Sequence, residues 1–167
     1  MKYDLILSLG SNIEPRVKYL KHTIEELKLV FFHKFTSSIY ETSPLIDTNQ
    51  DYFYNICCYF KTNISNPISV LNITKEIENK IGRVKDKTRP KGPRKIDIDI
   101  ILLDRIKFEN NFLTIPHKSF LERNFVLIPM LEIFSKYPIL NINYDLPFYI
   151  EKNIDQKVTK IGDLYNE

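Results

Sequence analysis

The 167 residues predict an α+β sandwich whose elements follow the order β-α-β-β-α-β. Three observations lead there. Four segments carry the alternation or branched apolar content of strands. Two segments repeat apolar residues every three or four positions. The two kinds are interleaved so that each helix follows one strand and precedes another. This is the split βαβ, or ferredoxin-like, arrangement: a four-stranded sheet with both helices on one face. An extra C-terminal hairpin and short helices are expected after it. A chain of this length with 43% hydrophobic residues supports one core, so a single domain over residues 1–167 is expected.

Tyr3 to Gly10 alternates and ends at Gly10-Ser11-Asn12, with Pro15 opening the next segment and Ser11 or Asn12 available as a helix cap. Val17, Leu20, Ile24, Leu27 and Phe31 then form one apolar stripe, which reads as the first helix. Phe35 to Glu41 is strand-like, Thr42 to Asp51 reads as loop, and Tyr54 to Thr62 alternates again. Pro67 opens a second helix with Val70, Ile73, Ile77 and Ile81 as its buried line, stopped by Gly82. After an aperiodic basic stretch, Ile96 to Leu103 reads as a fourth strand, its Ile and Leu run suggesting a central position covered on at least one face. A hairpin near Phe108 to Ile115 and a short helical piece around Phe125 to Phe134 follow, and the tail from Asn141 carries no functional motif.

Lysine and arginine outnumber aspartate and glutamate by 24 to 21, too small an excess to mark a nucleic-acid or membrane binder. The positive charge is concentrated: between Arg83 and Lys95 lie seven basic residues and one acid, Asp86. A local cationic arm suits an anionic small molecule. Cys57 and Cys58 are adjacent and would point to opposite faces of a strand, so no disulfide is expected. Asp4 interrupts the short apolar run before Gly10, which leaves neither a signal peptide nor a spanning helix and makes the cytoplasm the expected location.

The sharpest chemical feature is Ile96-Asp97-Ile98-Asp99-Ile100. The two-residue period of a strand puts both carboxylates on one face, about 7 Å apart at their Cα atoms. Two such acids repel unless a cation sits between them, and Mg²⁺ is the usual oxygen-liganded ion beside phosphates. The bland alternative is the polar face of an amphipathic strand. Its context is Gly92-Pro93-Arg94-Lys95 immediately upstream, so acids for a metal and bases for phosphate meet in one stretch. A solvated charged loop is the alternative there.

The run Lys91-Gly92-Pro93-Arg94-Lys95-Ile96-Asp97-Ile98-Asp99-Ile100-Ile101 resembles the signature of the 6-hydroxymethyl-7,8-dihydropterin pyrophosphokinases. Other pieces agree in order and spacing: Ser8-Leu9-Gly10-Ser11-Asn12, Tyr40-Glu41-Thr42-Ser43-Pro44-Leu45, Phe53-Tyr54-Asn55, Ile77-Glu78, Gly82-Arg83, Leu113-Thr114-Ile115-Pro116-His117 and Arg123-Asn124-Phe125. The resemblance covers roughly residues 3 to 134. It implies transfer of diphosphate from ATP to 6-hydroxymethyl-7,8-dihydropterin, with release of AMP, in folate biosynthesis. It implies two Mg²⁺ ions on Asp97 and Asp99, and catalytic roles for Arg83, Arg94, Asp97 and Asp99. By the same resemblance Glu78, Arg83, Lys85, Arg94, Ile100, Thr114, His117 and Arg123 would lie on the ATP, and Thr42, Pro44, Leu45, Phe53, Asn55 and Phe125 on the pterin. Expected partners are these small molecules alone, with no nucleic acid or membrane, and the expected state is a monomer.

The chain departs from the family pattern at Lys91, where an aromatic is usual, at Phe112, where arginine is frequent, and at Lys118, which replaces an aromatic. The enzymatic alternative is a nucleotidyltransferase, but its glycine-serine and acidic pair normally lie about a dozen residues apart and here Gly10 and Asp97 are far more distant. The non-enzymatic alternative, a ferredoxin-like RNA-binding module, lacks its diagnostic aromatic motif.

Overall fold

A computed structural model describes residues 2–45, 48–84, 88–89, 92–138 and 144–165. The first strand, β1 (Tyr3–Ser11), leads to α1 (Arg16–Lys28), and β2 (Phe32–Thr36) and β3 (Ile39–Thr42) follow as two halves of one interrupted strand. Next come β4 (Phe53–Thr62), α2 (Pro67–Ile81) and β5 (Asp97–Leu103). A small hairpin of β6 (Phe108–Glu109) and β7 (Thr114–Ile115), a 3₁₀ turn at Phe120–Glu122, α3 (Asn124–Lys136), α4 (Leu146–Lys152) and β8 (Val158–Gly162) complete the chain. The main sheet runs β5-β1-β4-β3-β8, with β2 also on β4. β1 pairs antiparallel with both β4 and β5, so each βαβ unit is split by a strand, as the sequence predicts.

Both helical stripes fold as read. Leu20, Ile24 and Leu27 of α1 and Val70, Ile77 and Ile81 of α2 are buried against Leu5, Leu7, Leu9, Ile56, Phe60, Ile98 and Ile100 of the sheet. Each such side chain removed from water contributes about 1.5–3 kcal/mol before entropy is counted. Asn66 caps α2 by accepting from the amides of Ile68 and Ser69, and Pro67 occupies the first turn, where its missing N–H costs nothing. Gly82, at φ 91°, ends the helix. Its N–H donates to Asn79 O and that of Arg83 to Glu78 O, a Schellman turn that swings Arg83 back over the end of the helix.

Two expectations are corrected. β5 lies at the sheet edge rather than the centre. Its apolar run reflects cover on both faces: Ile96, Ile98 and Ile100 pack on the α1 and α2 side, Ile101 and Leu102 on the other. α1 and α2 share one face as expected, and α3 packs Val126, Leu127, Met130 and Ile133 onto Ile6, Cys57, Tyr59 and Ile101 of the other, making a third layer. The cap of α1 is neither Ser11 nor Asn12; the helix starts after Pro15 without a side-chain cap, while Asn12 has another task described below.

The tail is part of the sheet. β8 pairs antiparallel with β3, and Glu132 of α3 ties the same edge by accepting from the Ser38 amide at 2.8 Å and from the Tyr40 hydroxyl. Cys57 and Cys58 are both free and buried, one in each core. No helix among the described residues is long and apolar enough to cross a membrane.

Candidate active site

The carboxylates take their position from the pleat of β5. Asp97 and Asp99 share the face of Ile101, which α3 covers, while Ile98 and Ile100 point to the opposite core. Register with β1 sets Asp97 opposite Gly10 and Asp99 opposite Ser8, and Gly10 also stands opposite Asn55 on β4. Residues directly opposite one another share a face, so a row of polar groups runs across the end of the sheet where α3 begins. A Cβ on Gly10 would sit 3.1 Å from Asn55 Oδ1 and 3.8 Å from the Phe53 ring. Glycine there lets the row close up.

Cations converge on the first carboxylate. Arg83 donates to Asp97 Oδ1 at 2.6 Å and Arg94 to Asp97 Oδ2 at 2.7 Å. Burial alone would push the Asp97 carboxyl up, but these guanidiniums, with Lys75 behind them, hold it below the usual aspartate range. Asp99 has weaker company: Arg123 lies 3.9 Å from Oδ2. Burial and then the charge of Asp97 push its carboxyl up, against the opposing pull of His117 and Arg123. Burial also keeps the His117 imidazole below its ordinary value, against the pull of Asp99. The Ser119 amide donates to His117 Nδ1 at 3.2 Å, which places the proton of the neutral ring on Nε2.

Glu78 anchors the group from beneath and is 1% exposed. It accepts from the Ile98 amide at 2.7 Å and from Lys75 Nζ at 3.0 Å, and pairs with Arg83 at 2.5 Å. Asn12 does the equivalent for Arg94. Its Oδ1 accepts from the Arg94 amide at 2.8 Å, its own N–H donates to Arg94 O at 3.2 Å, and its Nδ2 donates to Gln50 Oε1 and Asp51 O.

Beside the charged end lies a slot. Phe53, Phe125, Pro44 and Leu45 line it, and Asn55 Nδ2 donates to Thr42 Oγ1 at 2.8 Å. The Arg94 guanidinium stands over the Phe53 ring at 5.5 Å and that of Arg123 over the Phe125 ring at 5.7 Å, so each aromatic is backed by a cation. Slot and charged end form one cavity of about 500 Å³. That is room for a drug-sized ligand, with aromatic walls and few polar groups at one end and concentrated charge at the other.

The profile of the 7,8-dihydro-6-hydroxymethylpterin-pyrophosphokinase family matches residues 6–135, from within β1 to the last turn of α3, and so spans every residue that lines the cavity. The chain belongs to that family. It is 40% identical over 129 residues to the 2-amino-4-hydroxy-6-hydroxymethyldihydropteridine pyrophosphokinase of Bacillus subtilis, covering 76% of this chain and 75% of that protein. It is 35% identical over 158 residues to the folic acid synthesis protein fol1 of Pneumocystis carinii, covering 93% of this chain and 21% of that one. This chain thus spans about a fifth of the fungal relative. Among solved structures it superposes on Plasmodium falciparum HPPK-DHPS with a TM-score of 0.69 at 18% identity, over 93% of this chain and 45% of that one, a likeness of fold.

Within this family frame, the cavity gathers Thr42, Pro44, Leu45, Phe53, Asn55, Arg83, Arg94, Asp97, Asp99, His117, Arg123 and Phe125. Three further residues picked out from the sequence lie off its wall. Glu78 is buried under Arg83, Ile100 points into the core beneath α1 and α2, and Thr114 sits on β7 paired with Glu109. Lys85, and the departing Lys91, lie outside the described residues. Phe112 is 84% exposed, whereas Lys118 lines the cavity and adds charge there. Sequence reasoning missed Lys75, Gln50 and Glu122, and gave Asn12 only as a cap candidate and as part of the Ser8–Asn12 resemblance. Only Lys75 left a trace, lying one helical turn before Glu78 on α2.

Proposed function

We propose that this protein transfers the terminal diphosphate of ATP to the hydroxymethyl group of 6-hydroxymethyl-7,8-dihydropterin, releasing AMP, as a step of folate biosynthesis. The observation that carries the reading is the convergence, in one cavity, of an aromatic slot and a cationic end on the Asp97–Asp99 pair.

The slot suits a flat heteroaromatic. Phe53 and Phe125 would stack on its two faces while Asn55 and Thr42 read its polar edge, which leaves the hydroxymethyl arm directed toward Asp97 and Asp99. Arg83, Arg94, His117 and Arg123 would hold the polyphosphate. The pterin hydroxyl oxygen then forms a bond to the β-phosphorus in line as the bond from that phosphorus to the α,β-bridging oxygen breaks; AMP carries away the electron pair, and the hydroxyl proton is released to solvent. Positioning accounts for much of such a reaction, and the guanidiniums offset the charge that gathers on the phosphoryl oxygens.

Asp97 and Asp99 fit Mg²⁺: they are hard oxygen donors on one face, and the charge of the first raises the pKa of the second. No cluster of three or more His, Cys, Asp or Glu forms a metal cage among the described residues, so phosphate oxygens and water would complete the coordination. Two such ions would supply charge neutralisation along the diphosphate. The same reading takes the protein to act on small molecules as a monomer in the cytoplasm.

The test is AMP release from ATP and Mg²⁺ with and without the pterin. AMP is expected only when the pterin is present. Consumption of ATP that is independent of the pterin, or none at all from the folded protein, would contradict the assignment.

A further inference from the structure

The segment that carries Arg123 and Phe125 into the cavity is held locally by the 3₁₀ turn, with Glu122 N donating to Ser119 O and Arg123 N to Phe120 O, each at 3.2 Å, and by bonds from far along the chain. Arg123 precedes α3 with extended backbone, at φ −131° and ψ 100°, and gives the helix no side-chain cap. The first amides of a helix need acceptors, and here that of Asn124 finds one in the chain's last quarter. Asn124 N donates to Gln156 Oε1 at 3.0 Å, and Gln156 Nε2 donates back to Glu122 O at 2.7 Å. Asn153 Nδ2 donates to Leu121 O at 2.9 Å. In return Asn124 Nδ2 donates to Asn153 O at 2.9 Å and Ile150 O at 3.2 Å, carbonyls at the end of α4 that also accept from the Gln156 and Asn153 amides. Asn124 is 3% exposed, so its own bonds are shielded and losing a partner there is costly, whereas the bond from Gln156 to Glu122 O is exposed.

We propose that Gln156, with Asn153 and Asn124, is a positioning device for the active site: it holds the 121–125 segment so that Arg123 faces Asp99 and Phe125 closes the slot. Residues 153–156 lie beyond the family match, which ends at 135. They are also beside the site, because a smaller cavity of about 110 Å³ lined by Asp155, Gln156, Lys157 and Val158 adjoins the slot through Thr42, Leu45 and Phe125. The device acts through other residues, since Gln156 does not line the main cavity. It rests on the proposed reaction for its kinetic consequence, though not for its structural one.

The test pairs Gln156→Leu with Gln156→Glu. Leucine removes both bonds; glutamate keeps the acceptor for the Asn124 amide and places a negative charge at the start of α3, where a helix favours it. In Gln156→Leu, hydrogen exchange of a peptide covering residues 120–128 should quicken while peptides from β1 and β4 stay as in wild type. The KM for pterin should rise roughly tenfold or more, since small misplacements of a positioning group cost 10–100-fold, and Gln156→Glu should recover most of the loss. Unchanged exchange at 120–128 overturns the proposal, as does faster exchange with an unaltered KM. A wild-type protein without pterin-dependent AMP release would refute the reaction instead, and the exchange comparison would still decide the structural claim.

Discussion

Asp97→Asn is expected to lower pterin-dependent AMP formation by about a thousandfold or more, in the range that removal of a key electrostatic group costs an active site. Asparagine keeps the size of the side chain and one acceptor oxygen, so the cavity should keep its shape. What disappears is the charge that Arg83 and Arg94 both grip, and with it half of the carboxylate pair that would hold Mg²⁺. Arg83 retains Glu78 as a partner, which is why folding should survive the change. Steady-state rates with saturating ATP and Mg²⁺ measure the effect. A variant that retained more than about a tenth of wild-type turnover would show that Asp97 does not act electrostatically on the transfer.

The second large effect concerns stability. Glu78 is buried and serves the Ile98 amide, Arg83 and Lys75 at once. Glu78→Leu would leave a buried N–H without an acceptor and two cations with one carboxylate fewer, and breaking a buried pair in this way costs about 3–5 kcal/mol. Glu78→Gln keeps the acceptor for Ile98 and should lose less. Urea unfolding of the three proteins gives the comparison. A loss below about 1 kcal/mol for the leucine variant, the size of an ordinary substitution, would contradict the anchoring role. Glu78 stands off the cavity wall, so its contribution is to hold Arg83 and the start of β5 in place.

The part of this site that is legible in the sequence is the part that strand and helix periods dictate. Asp97 and Asp99 share a face because β5 alternates, and Arg83 reaches them because Gly82 ends α2 in a left-handed turn. The two stripes of α1 and α2 are equally plain. The third layer was harder to read. α3 buries Val126, Leu127, Pro129, Met130 and Ile133, an apolar run that announces a helix without saying which sheet face it covers. β8 left little signal, because Thr159, Lys160 and Ile161 at its centre are exposed and the strand is held by backbone pairing with β3. Asn12 reads as a helix cap on propensity alone; only the folded chain brings Arg94, Gln50 and Asp51 within its reach. Contacts between residues far apart in sequence leave no periodic trace.

The reaction itself is tested most directly by following the phosphorus atoms. With ATP labelled at the γ-phosphorus, the account requires AMP as the nucleotide product and a pterin diphosphate that carries the label at its terminal phosphorus, in equal amounts. ADP together with a labelled pterin monophosphate would mean attack at the γ-phosphorus, and would contradict the placement of the hydroxymethyl group against the β-phosphate at Asp97 and Asp99.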